Sequence, residues 1–129
     1  MSANAKVSEN ALVCVVDDDS LIRDSTRRLI RSFGFRVEAF ASAEEFRNSA
    51  CLAETACLIL DVRMPGMSGP ELQRQMAVAN SHIPIIFMTA HEDAARRTQA
   101  LEAGAVAFLH KPFYEEELLN AINVALKDS

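Results

Sequence analysis

The chain has 129 residues, a net charge of −5 and a composition that is 50% hydrophobic and 24% charged, enough apolar material for one compact core. The negative charge disfavours direct nucleic-acid binding, because a phosphate backbone is held by basic surfaces. Apolar runs fall well short of the roughly 18 residues of a membrane span, and the polar start MSANAKVSEN lacks a secretory apolar region. We therefore expect no membrane association and a soluble cytoplasmic domain over residues 11–127, preceded by a flexible arm over residues 1–10.

The apolar pattern predicts five strands that alternate with helices. The predicted strands are Ala11–Val16, Phe35–Phe40, Ala56–Leu60, Ile83–Met88 and Ala105–Leu109. The first, third and fourth are nearly continuous apolar runs, which is typical of parallel strands covered on both faces. The second, FRVEAF, carries two charges and is typical of an edge strand.

Capping signals place the helices between these strands. The first helix is predicted to begin near Asp19 or Ser20 and to end before Gly34, a residue suited to a left-handed cap. Three Ser/Thr-x-x-Glu capping boxes predict the starts of the next three helices, at Ser42–Glu45, Ser68–Glu71 and Thr89–Glu92. An apolar stripe from Leu118 to Leu126 predicts the fifth helix.

Five strand–helix units are too few for an eight-stranded barrel, so we predict an α/β fold with an open, doubly wound parallel sheet. Ligands of such sheets bind beyond the carboxyl ends of the strands. Reactive side chains follow four of the predicted strands at that edge: Asp17, Asp18 and Asp19, then Asp61, then Thr89, and finally His110 with Lys111.

Several carboxylates in one crevice repel one another, and a hard cation between them relieves that repulsion. Mg²⁺ is the expected ion, and a lysine with a hydroxyl on the opposite rim would complete a phosphoryl-binding site. Each residue alone has a simpler interpretation: Asp19 and Thr89 as helix caps, Asp61 as a turn residue, Lys111 as a surface charge. Their joint placement at strand ends favours the functional interpretation.

Two other ligand classes fit the sequence poorly. A flavodoxin-like phosphate loop needs amides and hydroxyls, whereas the loop here begins with three aspartates that would repel a bare anion. A dinucleotide site needs a glycine fingerprint after the first strand, and VVDDDS contains no glycine.

Four segments together resemble the receiver domains of two-component response regulators. These are VVDDDSLIRDS, LILDVRMPGMSGPEL, IIFMTAHED and GAVAFLHKPF, in the family's order and spacing over roughly residues 10–127. The resemblance implies a flavodoxin-like strand order 2-1-3-4-5. The amino-acid sequences of the second and fourth segments are most similar to the receiver subclass that often precedes a LuxR-type helix-turn-helix domain.

The resemblance assigns roles to the acidic residues. Asp61 would be the phosphoacceptor, Asp18 a direct Mg²⁺ ligand and Asp17 a supporting acid, with the backbone carbonyl of Arg63 as a further ligand. Three consecutive aspartates leave the register open; we choose the first two because the family's acidic pair directly follows the strand. Asp19 then stays available as a cap.

The resemblance also assigns roles on the opposite rim. Lys111 would pair with Asp61 and later hold a phosphoryl oxygen, Thr89 would donate its hydroxyl to the phosphoryl group, and the Lys111–Pro112 bond would be cis. Phe108 occupies a switch position that often bears tyrosine; a permanently buried core residue is an equal alternative.

Arg63 and His91 occupy variable positions expected to tune the lifetime of the aspartyl phosphate. The alternative is a pair of exposed polar side chains without that effect.

The implied function is a signalling switch phosphorylated by a sensor histidine kinase, with only self-catalysed phosphorylation and dephosphorylation rather than enzymatic turnover. Its fourth helix, fifth strand and fifth helix would form the face for a homodimer or an output domain, and the output would be transcriptional if the chain is part of a longer regulator. Three alternatives stay open: a stand-alone receiver acting by protein contacts or in a phosphorelay, a pseudo-receiver without chemistry, and an aspartyl-phosphate hydrolase. The last would normally carry an aspartate where this chain has Arg63.

Overall fold

The computed structural model describes residues 10–91 and 94–127. Five parallel strands form one sheet in the order 2-1-3-4-5. The strands are β1 (Leu12–Val16), β2 (Arg36–Phe40), β3 (Thr55–Asp61), β4 (Ile85–Thr89) and β5 (Ala107–His110). The helices are α1 (Ser20–Ser32), α2 (Ala43–Arg47), α3 (Gly69–Val78), α4 (Ala94–Glu102) and α5 (Glu115–Lys127), and a short 3₁₀ helix spans Ala50–Glu54.

This architecture confirms the predicted doubly wound α/β fold and its strand order. The predicted arm lies almost entirely outside the described residues and stays a prediction. Among the described helices, none has the length and apolar character needed to cross a membrane.

Helices cover both faces of the sheet, which explains the apolar runs in the central strands. Every residue of β1 and β4 is buried, whereas β2 at the sheet edge is largely exposed or half-buried. One core cluster lies on the α2–α3 face, around Phe46 and Leu72, and the other on the α1–α5 face, around Ile30 and Ile122. The two clusters fix the strands in register, so that their carboxyl ends meet at one edge.

Local capping confirms most of the predicted helix starts. The Asp19 side chain accepts the N–H groups of Leu21 and Ile22 and caps α1. Ser68 and Glu71 form both bonds of a capping box at α3. At α2, Ser42 accepts the Glu45 N–H as predicted, but the Glu45 carboxylate accepts the N–H of Ala41 rather than that of Ser42.

The capping box predicted at Thr89 is wrong. Thr89 ends β4, where it pairs with His110 of β5, and α4 begins only at Ala94. Pairing with β5 extends β4 through Thr89, which is therefore a strand residue. Glu92, the other half of the predicted box, lies outside the described residues.

Two glycines have roles that a side chain would disturb. Gly34 follows α1 with φ +98°, which is the left-handed cap that the sequence predicts. Gly69 begins α3, and its N–H donates to the carbonyl of Val62 at 3.1 Å. A Cβ at Gly69 would lie 2.4 Å from the backbone oxygen of Asp61 and 2.9 Å from the Phe87 ring. The start of α3 therefore packs directly on the end of β3.

We predict that Gly69→Ala lowers the free energy of unfolding by about 2–3 kcal/mol, since the added methyl group forces α3 away from the β3 backbone. Gly34→Ala is the control: a Cβ there meets nothing within 4 Å, so only backbone strain of about 1 kcal/mol is expected. Chemical denaturation of both variants measures the difference. Equal losses would contradict the close approach at Gly69.

Candidate functional site

An open crevice of about 220 Å³ lies beyond the carboxyl ends of β1, β3, β4 and β5. Its lining brings together residues from four separate strand ends and Ile22 of α1: Asp17, Asp18, Asp19, Ile22, Asp61, Arg63, Thr89, Ala90, His91 and Lys111. The residues that the sequence placed at these strand ends thus share one cavity, apart from His110, which does not line it.

Asp17 is the buried centre of the crevice, with no exposed surface. One carboxylate oxygen accepts the N–H of Asp19 at 2.9 Å, and the other accepts from the Lys111 ammonium group at 2.9 Å. Both oxygens of Asp17 are therefore already engaged by protein donors. This arrangement suits a supporting acid better than a direct metal ligand.

The neighbouring aspartates differ in what their carboxylates contact. Asp19 is occupied as the cap of α1, whereas the side chain of Asp18 is exposed at the crevice. Oxygens of Asp17, Asp18 and Asp61 all lie within 4.8 Å of one another. Three carboxylates at this spacing are oxygen donors of the kind that Mg²⁺ prefers, and a divalent cation would offset their repulsion. The donor set therefore fits the expected ion.

Asp61 lies at the end of β3 with 7% of its surface exposed. Burial and the nearby Asp17 carboxylate raise the pKa of Asp61 from 3.8 to about 6, with the Lys111 ammonium partly opposing the shift. Burial, and after it repulsion from Asp17, thus makes Asp61 a less acidic carboxyl than an exposed aspartate. It is nevertheless largely ionised at pH 7 and above.

Lys111 follows β5 and lies between two carboxylates. Its ammonium nitrogen is 2.9 Å from Asp17 Oδ2 and 3.7 Å from Asp61 Oδ1. The resemblance implied a pairing with Asp61, and the structure shows that the shorter contact is to Asp17. The Lys111 backbone N–H donates to the carbonyl of Thr89 at 2.7 Å, and the Lys111–Pro112 peptide bond is cis.

The residues assigned to switching and tuning lie around the same crevice or on the adjacent strand β5. The buried Thr89 hydroxyl donates to the backbone carbonyl of His91 at 3.2 Å and accepts the His91 N–H at 3.1 Å. Phe108 is half-buried, with its ring centroid 6.1 Å from that of Phe87. Arg63 and His91 are exposed and line the crevice.

The sequence analysis missed one residue that supports the site. The Arg23 guanidinium on α1 donates to the backbone carbonyl of Asp17 at 2.8 Å. This bond ties the first residue of the β1–α1 loop to α1. The signal was a basic residue in the first turn of α1, which by itself is indistinguishable from a solvated surface charge.

Residues 13–123 match the family of response regulator receiver domains. The chain belongs to this family. The match confirms the resemblance that the four sequence segments indicated.

Curated relatives match this chain over about half of their own length. TodT, a response regulator protein of Pseudomonas putida strain F1, is 47% identical over 117 residues, which cover 91% of this chain and 52% of TodT. Nodulation protein W of Bradyrhizobium diazoefficiens is 47% identical over 122 residues, covering 95% of this chain and 54% of that protein. The chain spans about half the length of these curated relatives.

A solved structure shows the same arrangement of the receiver domain. The crystal structure of FixJ-N superimposes with a TM-score of 0.84 at 35% identity, covering 93% of this chain and 96% of FixJ-N. The sequence match and the structural superposition therefore agree that this chain has the fold of a receiver domain.

We predict that Asp61→Asn stabilises the metal-free receiver domain above pH 6. The folded-state pKa of about 6 exceeds the ordinary 3.8, so the folded state binds the Asp61 proton more tightly than the unfolded state does. The contribution of Asp61 to wild-type stability therefore falls as the pH rises from about 4 to about 6. The variant avoids this loss, gaining about 1–2 kcal/mol at pH 7.5 after solvent screening and almost nothing at pH 4.

Asp24→Asn is the control with the opposite sign. A hydrogen bond from Arg27 lowers the pKa of the exposed Asp24, so neutralising this residue should slightly destabilise the domain at pH 7.5. Urea denaturation at both pH values measures the differences. A loss of stability in Asp61→Asn at pH 7.5, or a gain independent of pH, would contradict the account of the crevice.

Proposed function

We propose that this receiver domain accepts a phosphoryl group on Asp61 from the phosphohistidine of a sensor histidine kinase, and that the modified domain changes its binding partners. The observation that carries the proposal is the convergence of an ionisable Asp61 with Asp18, Thr89 and Lys111 around one open crevice. Phosphoryl transfer depends mainly on alignment and on neutralisation of charge, and these groups provide both.

The proposed step forms one bond and breaks one. A carboxylate oxygen of Asp61 attacks phosphorus while the bond from phosphorus to the donor's imidazole nitrogen breaks, and that nitrogen keeps the electron pair. The Lys111 ammonium group now contacts the carboxylates of Asp17 and Asp61. After the transfer it would bind a phosphoryl oxygen on Asp61. The exposed mouth of the crevice leaves a path for a donor protein or a small phosphodonor.

Asp18, Asp61 and the Arg63 backbone carbonyl would hold Mg²⁺, with Asp17 in support. The bound ion would neutralise charge on the phosphoryl oxygens. Because both oxygens of Asp17 are engaged by Asp19 and Lys111, the exposed Asp18 carboxylate is the better direct ligand. This assignment agrees with the register chosen from the sequence.

The switch would begin at Thr89. In the unmodified domain its hydroxyl is bound to the backbone of His91, so donating to a phosphoryl oxygen requires it to release the His91 carbonyl. That release would free the segment that leads to α4 (Ala94–Glu102) and would open space beside Phe108. The α4–β5–α5 face would then change its shape toward a second copy or an output domain.

Transcriptional control in the cytoplasm is the output that we propose if the chain is part of a longer regulator. TdiR of Thauera aromatica and FixJ of Bradyrhizobium diazoefficiens, 39% and 38% identical to this chain, are transcriptional regulatory proteins. A stand-alone receiver that acts through protein contacts or in a phosphorelay is the alternative. In either case the domain would catalyse only its own phosphorylation and dephosphorylation.

We predict that the wild-type chain, incubated with Mg²⁺ and acetyl phosphate, gains the mass of one phosphoryl group. Asp61→Asn should gain none, because an amide oxygen is a poor nucleophile. Asp24→Asn, changed in the same way on the exposed face of α1, should gain as much as the wild type. Intact-protein mass spectrometry decides, and an undiminished gain in Asp61→Asn would exclude Asp61 as the acceptor.

We predict that Mg²⁺ stabilises the wild-type domain against heat, by about 2.7 kcal/mol at a concentration of 100 times its Kd. Asp18→Ala should abolish this gain, whereas Asp19→Asn, which keeps a good helix cap, should retain most of it. Differential scanning calorimetry with and without Mg²⁺ measures each gain. A retained gain in Asp18→Ala would assign the ion to other ligands.

We predict that Arg63→Ala and His91→Ala each shorten the lifetime of the aspartyl phosphate. Both side chains lie on the exposed rim of the crevice, so their removal widens the path for attacking water. The decay of the phosphorylated mass after removal of the donor measures the lifetime. Unchanged decay in both variants would leave them as ordinary surface residues.

A further inference from the structure

Helix α2 supplies a carboxylate to the loop that follows the phosphoacceptor, and neither the sequence motifs nor the proposed function uses it. We call residues 62–68 the acceptor loop. The Glu44 Oε2 atom accepts the backbone N–H of Met67, at the end of this loop, at 3.1 Å. The helix that carries Glu44 is itself fixed, since Ala43 and Phe46 on either side are fully buried.

The contact of Glu44 with the loop is close and extends over more than one residue. A Cβ at Gly66 would lie 2.8 Å from Glu44 Oε2, so the carboxylate lies directly over the bare backbone of Gly66. The next amide along the chain, that of Ser68, is bound by Glu71 Oε1 at 3.1 Å. Two carboxylates from different helices thus bind successive N–H groups at the end of the acceptor loop.

The start of the acceptor loop is fixed separately. The Val62 N–H donates to the carbonyl of Met88 in β4 at 3.1 Å, and Asp61 directly precedes it. Arg63, whose backbone carbonyl is the expected third direct ligand beside Asp18 and Asp61, therefore lies between an anchored start and the end that Glu44 holds. Because the loop is short, moving its end would move this carbonyl.

We propose that Glu44 is a positioning residue, which holds the acceptor loop so that the Arg63 carbonyl is aligned with Asp18 and Asp61 for a divalent cation. This inference rests on the proposed function of the same site. A bond to an ionised acceptor is roughly twice as strong as a neutral one, so the carboxylate holds the Met67 amide better than an amide side chain would. Removing it loosens the loop without removing any ligand.

Glu45 provides a matched control on the same helix. Its carboxylate also accepts a backbone N–H, that of Ala41 at 3.3 Å, but this amide lies between β2 and α2 and not in the acceptor loop. Glu44→Ala and Glu45→Ala therefore remove the same charge, the same side-chain atoms and one bond to a backbone amide each. Only the first of the two releases the loop.

The test is a calorimetric titration of the 129-residue chain with Mg²⁺. Glu44→Ala should bind roughly tenfold more weakly than the wild type, as when other outer contacts to metal ligands are removed. Glu45→Ala should bind like the wild type, and Glu44→Gln should fall between, because a neutral oxygen can still accept the Met67 N–H. Equal affinity in Glu44→Ala and the wild type, or an equal loss in Glu45→Ala, would overturn the proposal.

A second readout needs no metal. The Met67 amide should exchange with deuterium faster in Glu44→Ala than in the wild type or in Glu45→Ala, and unchanged exchange would overturn the proposal. With acetyl phosphate, the phosphorylation rate of Glu44→Ala should be low at limiting Mg²⁺ and recover at saturating Mg²⁺. If the wild type takes up no phosphoryl group, the proposed function fails, while the titration and the exchange still test Glu44.

Discussion

The site depends on one ammonium group placed between two carboxylates. Lys111 lies 2.9 Å from the buried Asp17 and 3.7 Å from Asp61, so a single positive charge faces two negative charges at low exposure. Asp18 adds a third carboxylate within 4.8 Å. The crevice thus has an excess of negative charge, which adds to burial in raising the pKa of Asp61. This excess favours a bound cation, and in the proposed function Lys111 would then turn toward a phosphoryl oxygen.

The parallel sheet makes this arrangement possible. Buried strands β1 and β3 bring Asp17 and Asp61 to the same edge, and the pairing of β4 with β5 places Lys111 beside them. Bonds from neighbouring elements then hold each loop: Arg23 holds the carbonyl of Asp17, and Glu44 holds the amide of Met67. The chemistry would thus be carried by short loops on a rigid frame.

Apolar runs and capping boxes were sufficient to predict the strands and most helix starts, because these features depend on local patterns. The meeting of the strand-end residues then followed from the parallel arrangement of the strands. Thr89 was misassigned because Thr-x-x-Glu is also the pattern of a cap, and only pairing with His110 shows that β4 continues through it. The preference of Lys111 for Asp17 over Asp61 depends on how the β1–α1 loop buries Asp17. The contact of Glu44 spans 23 positions, and no local pattern encodes it.

The electrostatics of the crevice are tested most directly by the ionisation of Asp61, followed through its carboxyl ¹³C shift in the metal-free chain and then with Mg²⁺. We expect Asp61 to titrate near pH 6 without metal, and to titrate at a lower pH when Mg²⁺ is present, since a bound cation favours the carboxylate. Titration of Asp61 at the ordinary value of 3.8 without metal, or a midpoint that Mg²⁺ leaves unchanged, would contradict the account.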